Sequence, residues 1–175
     1  EHNKNLGAAL RTAFRSVTGE LVGCLDSDCT YDPKILIDML EMLNDDVDIV
    51  IASPYCPGGK VENVPQYRLF LSKTVSWIYR KLLDSNIYAP NGLVRIYRKK
   101  VIDNISFQSD NYLAVTEIIV DSLLKGYKAV EYPTTLSVRR YGVSKIKLFL
   151  VIRSHLLFII KLILAKITGQ LKVSK

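Results

Sequence analysis

Short apolar runs alternate with segments of helical spacing from Leu6 to Pro133, and this alternation confines the chain to an α/β layered fold. Residues 6–16 put Leu6, Leu10 and Phe14 on one face of a helix that Gly19 ends. Leu21 to Leu25 predicts a short buried strand that delivers Asp26-Ser27-Asp28 at its C-terminal end, where open α/β sheets hold ligands. Asp32-Pro33, a capping acid followed by proline, predicts a helix to about Leu43. Val47 to Ala52 predicts a second strand, and Ser53 to Gly59 is rich in turn residues. A long helix is expected from Tyr67 to Leu83 and a strand from Leu93 to Tyr97. Residues 113–125 predict a helix stopped by Gly126, and Lys128 to Tyr132 a last strand.

At 175 residues the chain can bury one sizeable core or form part of a larger domain. Hydrophobic residues make up 49% and charged residues 23%, which excludes a disordered chain. The net charge of +7 is unevenly placed: nine Lys or Arg and no acid follow Glu131, leaving 15 basic against 17 acidic residues up to and including it. A basic partner-seeking surface therefore belongs to the C-terminal part. Cys24, Cys29 and Cys56 lie far in sequence from His2 and His155, so neither zinc spacing nor a disulfide framework is suggested. A reducing, cytosolic face is the expected compartment. The polar opening Glu1-His2-Asn3-Lys4-Asn5 lacks Met and reads as the start of a fragment.

Two aspartates one residue apart, at the end of a buried strand, concentrate negative charge that suits a hard divalent cation. Mg²⁺ typically takes one or two carboxylates together with substrate phosphates. A cation so held neutralises charge on a departing diphosphate. On its own a D-x-D is equally a solvated turn.

The series of motifs narrows this. Asn5-Leu6-Gly7-Ala8-Ala9-Leu10, Leu25-Asp26-Ser27-Asp28 with Asp32-Pro33, Asp48-Ile49-Val50-Ile51-Ala52-Ser53, and Gly58-Gly59 occur in order. They are followed by Arg68 with Ser72, Arg95-Ile96-Tyr97-Arg98, Glu117, Gly126 to Pro133, and Arg139 with Gly142, Ser144 and Lys145. From residue 3 to about 147 this order resembles the family 2 glycosyltransferases of the dolichol-phosphate mannosyltransferase type. The resemblance implies a partial GT-A (nucleotide-diphospho-sugar transferase) fold, a mixed sheet flanked by helices, over residues 1–147.

It also implies transfer of a sugar from a GDP- or UDP-sugar to a polyprenyl (dolichyl or undecaprenyl) phosphate. Asp26 and Asp28, with Thr30, would hold Mg²⁺ or Mn²⁺, and Asp26, Asp28 and Arg139 carry the catalytic roles. Arg139, Ser144 and Lys145 would bind phosphate oxygens. Arg68 and Ser72 would grip the acceptor phosphate, and Arg95 and Glu117 fall among the substrate-binding positions. Arg68 and Arg95 also read as ordinary surface or helix-pairing residues, Glu117 as structural, and Tyr55, Tyr67 and Tyr97 as packing. His155 lies among apolar residues and reads as interfacial.

Three departures stand out. The family's first βαβ portion, which holds the nucleotide base, has no counterpart. Pro54 stands where the family carries Arg, and Ala89 where it carries Asp. An inactive or partner-dependent half-enzyme, with a partner chain supplying the missing portion, is therefore the alternative. A variant acting on a glycan hydroxyl would need Glu117 or another acid as base.

Residues 148–175 form an apolar, basic tail. Leu148 to Ile167 is long enough to span a bilayer, yet Arg153 and Lys161 would each cost roughly 2.5–3.5 kcal/mol at its centre. Phe149, Ile152, Leu156, Ile160, Ile163 and Ile167 make a stripe, with Lys147, Arg153, Ser154 and Lys161 on another side. An amphipathic helix in the membrane interface, on the cytoplasmic face, is expected. The alternative is a helix buried against another domain or chain. Nucleic acid is not an expected partner, because the bases of the tail alternate with Leu and Ile instead of stacking aromatics.

Overall fold

The computed structural model describes residues 5–28, 30–137 and 148–170. Its elements in chain order are α1 (Asn5–Ser16), β1 (Leu21–Cys24), α2 (Ile35–Leu40), β2 (Ile49–Ser53), β3 (Lys60–Val61) and α3 (Gln66–Leu83). They continue with β4 (Arg95–Arg98), α4 (Lys99–Asn104), α5 (Leu113–Leu124), β5 (Ala129–Pro133), β6 (Thr135–Leu136) and α6 (Leu148–Ile167).

Four strands form a mixed sheet in the order β1-β4-β2-β5. β4 runs antiparallel to both β1 and β2, whereas β2 and β5 are parallel. The period-two alternation of β2 divides its side chains between two cores. Ile49 and Ile51 join Leu10, Tyr97, Val101 and Ile118 on the face covered by α1, α4 and α5. Val50 and Ala52 join Ile35, Met39, Val94 and Ile96 on the face covered by α2. Because both faces are covered, every residue of β2 is buried. β3 and β6 pair separately in parallel, Lys60 opposite Thr135 and Val61 opposite Leu136.

Helix α1 approaches the 109–110 loop so closely that a Cβ on Gly7 would lie 2.0 Å from the Ser109 carbonyl oxygen. The Gly7 N–H donates to the Asp110 carbonyl at 2.7 Å, so glycine is required here by contact and not by dihedral freedom.

Several sequence expectations are corrected. β1 is not buried: it is one of the two outer strands of the sheet, with Leu21 exposed and Val22 buried. Asp32 does not cap the next helix with its side chain. It closes a turn by accepting the Lys34 N–H at 2.9 Å, and α2 starts at Ile35 and stops at Leu40, three residues early. The strands β3 and β6 and the helix α4 were not anticipated, since two-residue strands carry no period and α4 spans fewer than two turns. Lys128 to Tyr132 is consequently not the last strand. Gly126, at φ +83°, follows the end of α5 as expected.

α6 packs against α3 and α5 through a third core of Tyr79, Leu83, Val120, Ile159 and Leu162. The expected stripe of Phe149, Ile152, Leu156, Ile160, Ile163 and Ile167 stays exposed. The helix is thus apolar on two sides, one seated on the fold and the other open.

Candidate active site

β1, β2 and β5 all run in one direction, so their C-terminal ends meet at a single edge of the sheet. The chain before β4, which runs the other way, enters at that same edge. A cleft of about 310 Å³ lies there. Asp26, Asp28, Thr30 and Tyr31 reach it from the turn after β1, Pro54 and Tyr55 from the turn after β2, and Leu136 from β6. Ala89, Asn91, Gly92 and Leu93 supply another part of the wall, Ser72 comes from α3, and Val151 and His155 come from α6.

Both aspartates line this one cleft. Asp28 Oδ1 accepts the Thr30 backbone N–H at 3.1 Å and also the Thr30 hydroxyl, which folds the D-x-D turn back on itself. Burial holds the Tyr31 phenol well above its usual range, and the charges of Tyr55, Asp26 and Asp28 push it further. Cys24, just before the turn, is raised to about 11 by burial, opposed by the Arg95 charge and reinforced by Asp26. Both Cys24 and Cys56 are free thiols. Among the described residues no group of three or more His, Cys, Asp or Glu gathers around one point. The donor set for a cation is two carboxylates with a hydroxyl beside them. That hard-oxygen set fits Mg²⁺ or Mn²⁺, which complete their shells with diphosphate and water.

The turn after β2 is shaped by glycine. A Cβ on Gly59 would lie 2.7 Å from the Ser53 carbonyl oxygen, so the Gly58-Gly59 pair lets the loop fold tightly under Pro54. No cation stands at Pro54, which lines the cleft where an arginine was expected.

A groove of about 210 Å³ adjoins the cleft between α3 and α6. Leu71, Val75, Leu148, Val151 and Ile152 make its apolar walls, and Arg68, Ser72, Asn91 and His155 its polar positions. Asn91 Nδ2 donates to Ser72 Oγ at 3.2 Å, and Arg68 Nε donates to the Tyr67 hydroxyl at 3.1 Å.

The remaining expected site residues are placed elsewhere. Arg95 is wholly buried and lies behind the cleft wall. Its Nη1 donates to the Val115 carbonyl at 2.8 Å and the Tyr97 hydroxyl at 3.2 Å, and its Nη2 to the Pro90 carbonyl at 2.7 Å. Glu117 borders a different cavity, and its carboxylate accepts the N–H groups of Gln108 and Ser109 and the Ser109 hydroxyl, each at 2.9 Å. Arg139, Ser144 and Lys145 lie outside the described residues.

Two residues given no site role by the sequence matter here: Glu131, which holds the cleft-lining Ala89 without lining the cleft itself, and His155, read as interfacial, which lines it. Glu131 Oε1 accepts the Ala89 N–H at 2.6 Å, while its Oε2 is buried without a hydrogen-bond partner. Burial raises its pKa, against the lowering effect of the Tyr88 and Ala89 N–H groups, the Ser53 hydroxyl and the Arg80 charge. A single acid between Val130 and Tyr132 on a strand was the available signal. His155 is 5% exposed, and its Nδ1 lies 3.0 Å from the Tyr79 hydroxyl. Val151, His155, Ile159 and Leu162 repeat at helical spacing, a second stripe that proves to be the seated face.

A mixed sheet covered by helices on both faces, with a D-x-D turn at the carboxyl edge, defines a partial GT-A fold. The pattern of glycosyl transferase family 2 matches residues 1–106, and the chain belongs to that family. It is 31% identical over 146 residues to a dolichol-phosphate mannosyltransferase of Pyrococcus furiosus, covering 82% of this chain and 41% of that protein. It is 34% identical over 124 residues to a polyprenol monophosphomannose synthase of Mycolicibacterium smegmatis, covering 69% and 47%. The chain therefore spans less than half the length of these relatives. Among solved structures it resembles glucosyl-3-phosphoglycerate synthase from Mycobacterium tuberculosis in complex with Mn²⁺, UDP-glucose and glycerol 3-phosphate. The TM-score is 0.62 at 13% identity, covering 92% of this chain and 54% of that one.

Proposed function

We propose that this chain carries the acceptor-side part of an enzyme that transfers a sugar from a nucleotide sugar to a polyprenyl phosphate at a membrane surface. The observation that carries this reading is the junction of two differently built spaces. The cleft holds Asp26 and Asp28, and it opens into a groove with apolar walls and Arg68 and Ser72 at its polar positions. A carboxylate-lined cleft suits a diphosphate with its cation, and an apolar groove with a polar mouth suits a lipid with an anionic head.

Asp26 and Asp28 would hold Mg²⁺ or Mn²⁺, with Thr30 orienting Asp28. A divalent cation bound there supplies neutralisation of charge on the leaving diphosphate. Arg68 and Ser72 hold the acceptor phosphate by charge and hydrogen bond. The acceptor is already anionic near neutral pH, so positioning replaces strong general-base catalysis. Arg139, Ser144 and Lys145 are assigned to phosphate oxygens on the motif alone. A glycan hydroxyl as acceptor is disfavoured by Glu117, whose carboxylate is engaged by the 108–109 backbone at another cavity.

The open face of α6 supports membrane association. Leu148–Ile167 is long and apolar enough to cross a bilayer, but its other side is seated on α3 and α5 and it carries Arg153 and Lys161. It is assigned to the interface, on the cytoplasmic face, with residues 1–147 as the catalytic portion and 148–175 as the docking tail.

Calorimetric titration with UDP- and GDP-sugars in Mn²⁺ tests the donor site. Binding that requires both the metal and the two aspartates, and is lost in Asp26→Ala/Asp28→Ala, is the expected result. Equal binding by that variant would remove the D-x-D turn from the site.

A further inference from the structure

Four residues border both the cleft and the groove: Ser72, Asn91, Val151 and His155. Three of them are neutral hydrogen-bonding side chains, and they arrive from α3, the chain before β4, and α6. Ser72 Oγ accepts from Asn91, which leaves its own hydroxyl proton to donate. His155, which borders both spaces, is tied through Nδ1 to Tyr79, and Nε2 is its one other polar ring atom. Burial lowers the imidazole pKa to about 4, and the ring is neutral at physiological pH.

We propose that His155 is a contact for the acceptor's phosphate group. With the Tyr79 hydroxyl donating to Nδ1, Nε2 carries the proton and donates to a phosphate oxygen held at the junction beside Ser72 and Asn91. This assignment rests on the polyprenyl phosphate reading above and extends it. The junction is where an anionic head on an apolar chain sits, because the groove walls take the chain and the neutral polar side chains gather where groove and cleft meet. α6 is then part of the site wall as well as a docking element, and the ring of donors is incomplete until α6 is seated.

Two substitutions separate this role from a purely structural latch. Asparagine places its amide near the position of Nδ1 and can keep the Tyr79 contact, whereas glutamine reaches toward the position of Nε2. The 175-residue chain in detergent micelles is titrated with farnesyl phosphate, farnesol and inorganic phosphate, and thermal unfolding and nucleotide-sugar binding are followed as controls. His155→Asn is expected to weaken farnesyl phosphate binding about tenfold with both controls unchanged, and His155→Gln to restore most of it. Farnesyl phosphate should bind more tightly than farnesol or inorganic phosphate, since both halves of the junction contribute. If His155→Asn binds farnesyl phosphate as well as the unsubstituted chain, the ring is a latch and the assignment is overturned. If the unsubstituted chain prefers farnesol or fails to bind farnesyl phosphate, the acceptor reading itself falls, and this assignment with it.

Discussion

Glu131 Oε1 accepts the backbone N–H of Ala89 at 2.6 Å, so a strand at the edge of the main sheet holds the segment from which Asn91 reaches Ser72. From the other side Arg95 holds the Pro90 carbonyl at 2.7 Å. A half-buried acid and a fully buried base thus fix the wall between cleft and core. Such clamps are worth most where water cannot replace the lost partner.

Glu131→Ala should leave the Ala89 N–H without its acceptor and cost about 1–3 kcal/mol in denaturant unfolding. Glu131→Gln keeps a carbonyl oxygen and removes a carboxyl that burial already disfavours as an anion, so it should cost much less. Equal losses in the two variants would mean that the charge, and not the hydrogen bond, matters.

Arg95→Lys should be as damaging as a large truncation. A lysine ammonium cannot reproduce a planar fork shared among the Val115 and Pro90 carbonyls and the Tyr97 hydroxyl. A loss of about 3 kcal/mol or more is expected from the denaturation midpoint, with nucleotide-sugar affinity of the folded fraction unchanged. A stable Arg95→Lys protein that had lost substrate affinity would restore the binding role the motif implied.

His155 has a lowered folded pKa of about 4 against an ordinary value of 6.5. The unfolded chain therefore takes up a proton between pH 6.5 and 4 that the folded chain refuses. Its contribution to stability is present above pH 6.5 and is lost progressively as pH falls through that window, about 1–3 kcal/mol in all. Glu131, with its raised pKa, acts in the opposite sense, so the measurement is the difference between the unsubstituted chain and His155→Gln across pH 7 to 4. A difference that does not change with pH would show that His155 titrates in the folded chain as it does in the unfolded one.

Phe149, Ile160 and Ile167 are 77%, 45% and 76% exposed on the open side of α6. Their joint replacement by serine should abolish sedimentation with anionic vesicles while leaving the melting temperature nearly unchanged, because none supports the seated face. Undiminished sedimentation would place membrane contact elsewhere in the chain.

Much of the fold was legible locally. β2 is a continuous apolar run covered on both faces, α5 runs to just short of the glycine that stops it, and α3 ends where its pattern ends, at Leu83. The D-x-D turn was placed correctly at the end of a strand because strand and turn are adjacent in sequence. Arg95 and Glu117 were harder. Each belongs to a motif, yet the backbone groups they bind come from 5 to 20 residues away, and only the folded chain brings those groups into reach. His155 reads as interfacial in the sequence because two apolar stripes run along the tail and only packing decides which of them is seated.

By itself the sequence determined the layered α/β class, the family, and the carboxylate pair at the carboxyl edge of the sheet. Those properties follow from periodicity and from neighbours in the chain. Tertiary structure alone decided that Arg95 faces inward, that Glu117 stands at a separate cavity, and that α6 brings His155 to the same junction as Ser72 and Asn91. Periodicity fixes which residues share a face, but the partner of that face is chosen by packing among distant segments, where burial and hydrogen-bond satisfaction compete across the whole chain.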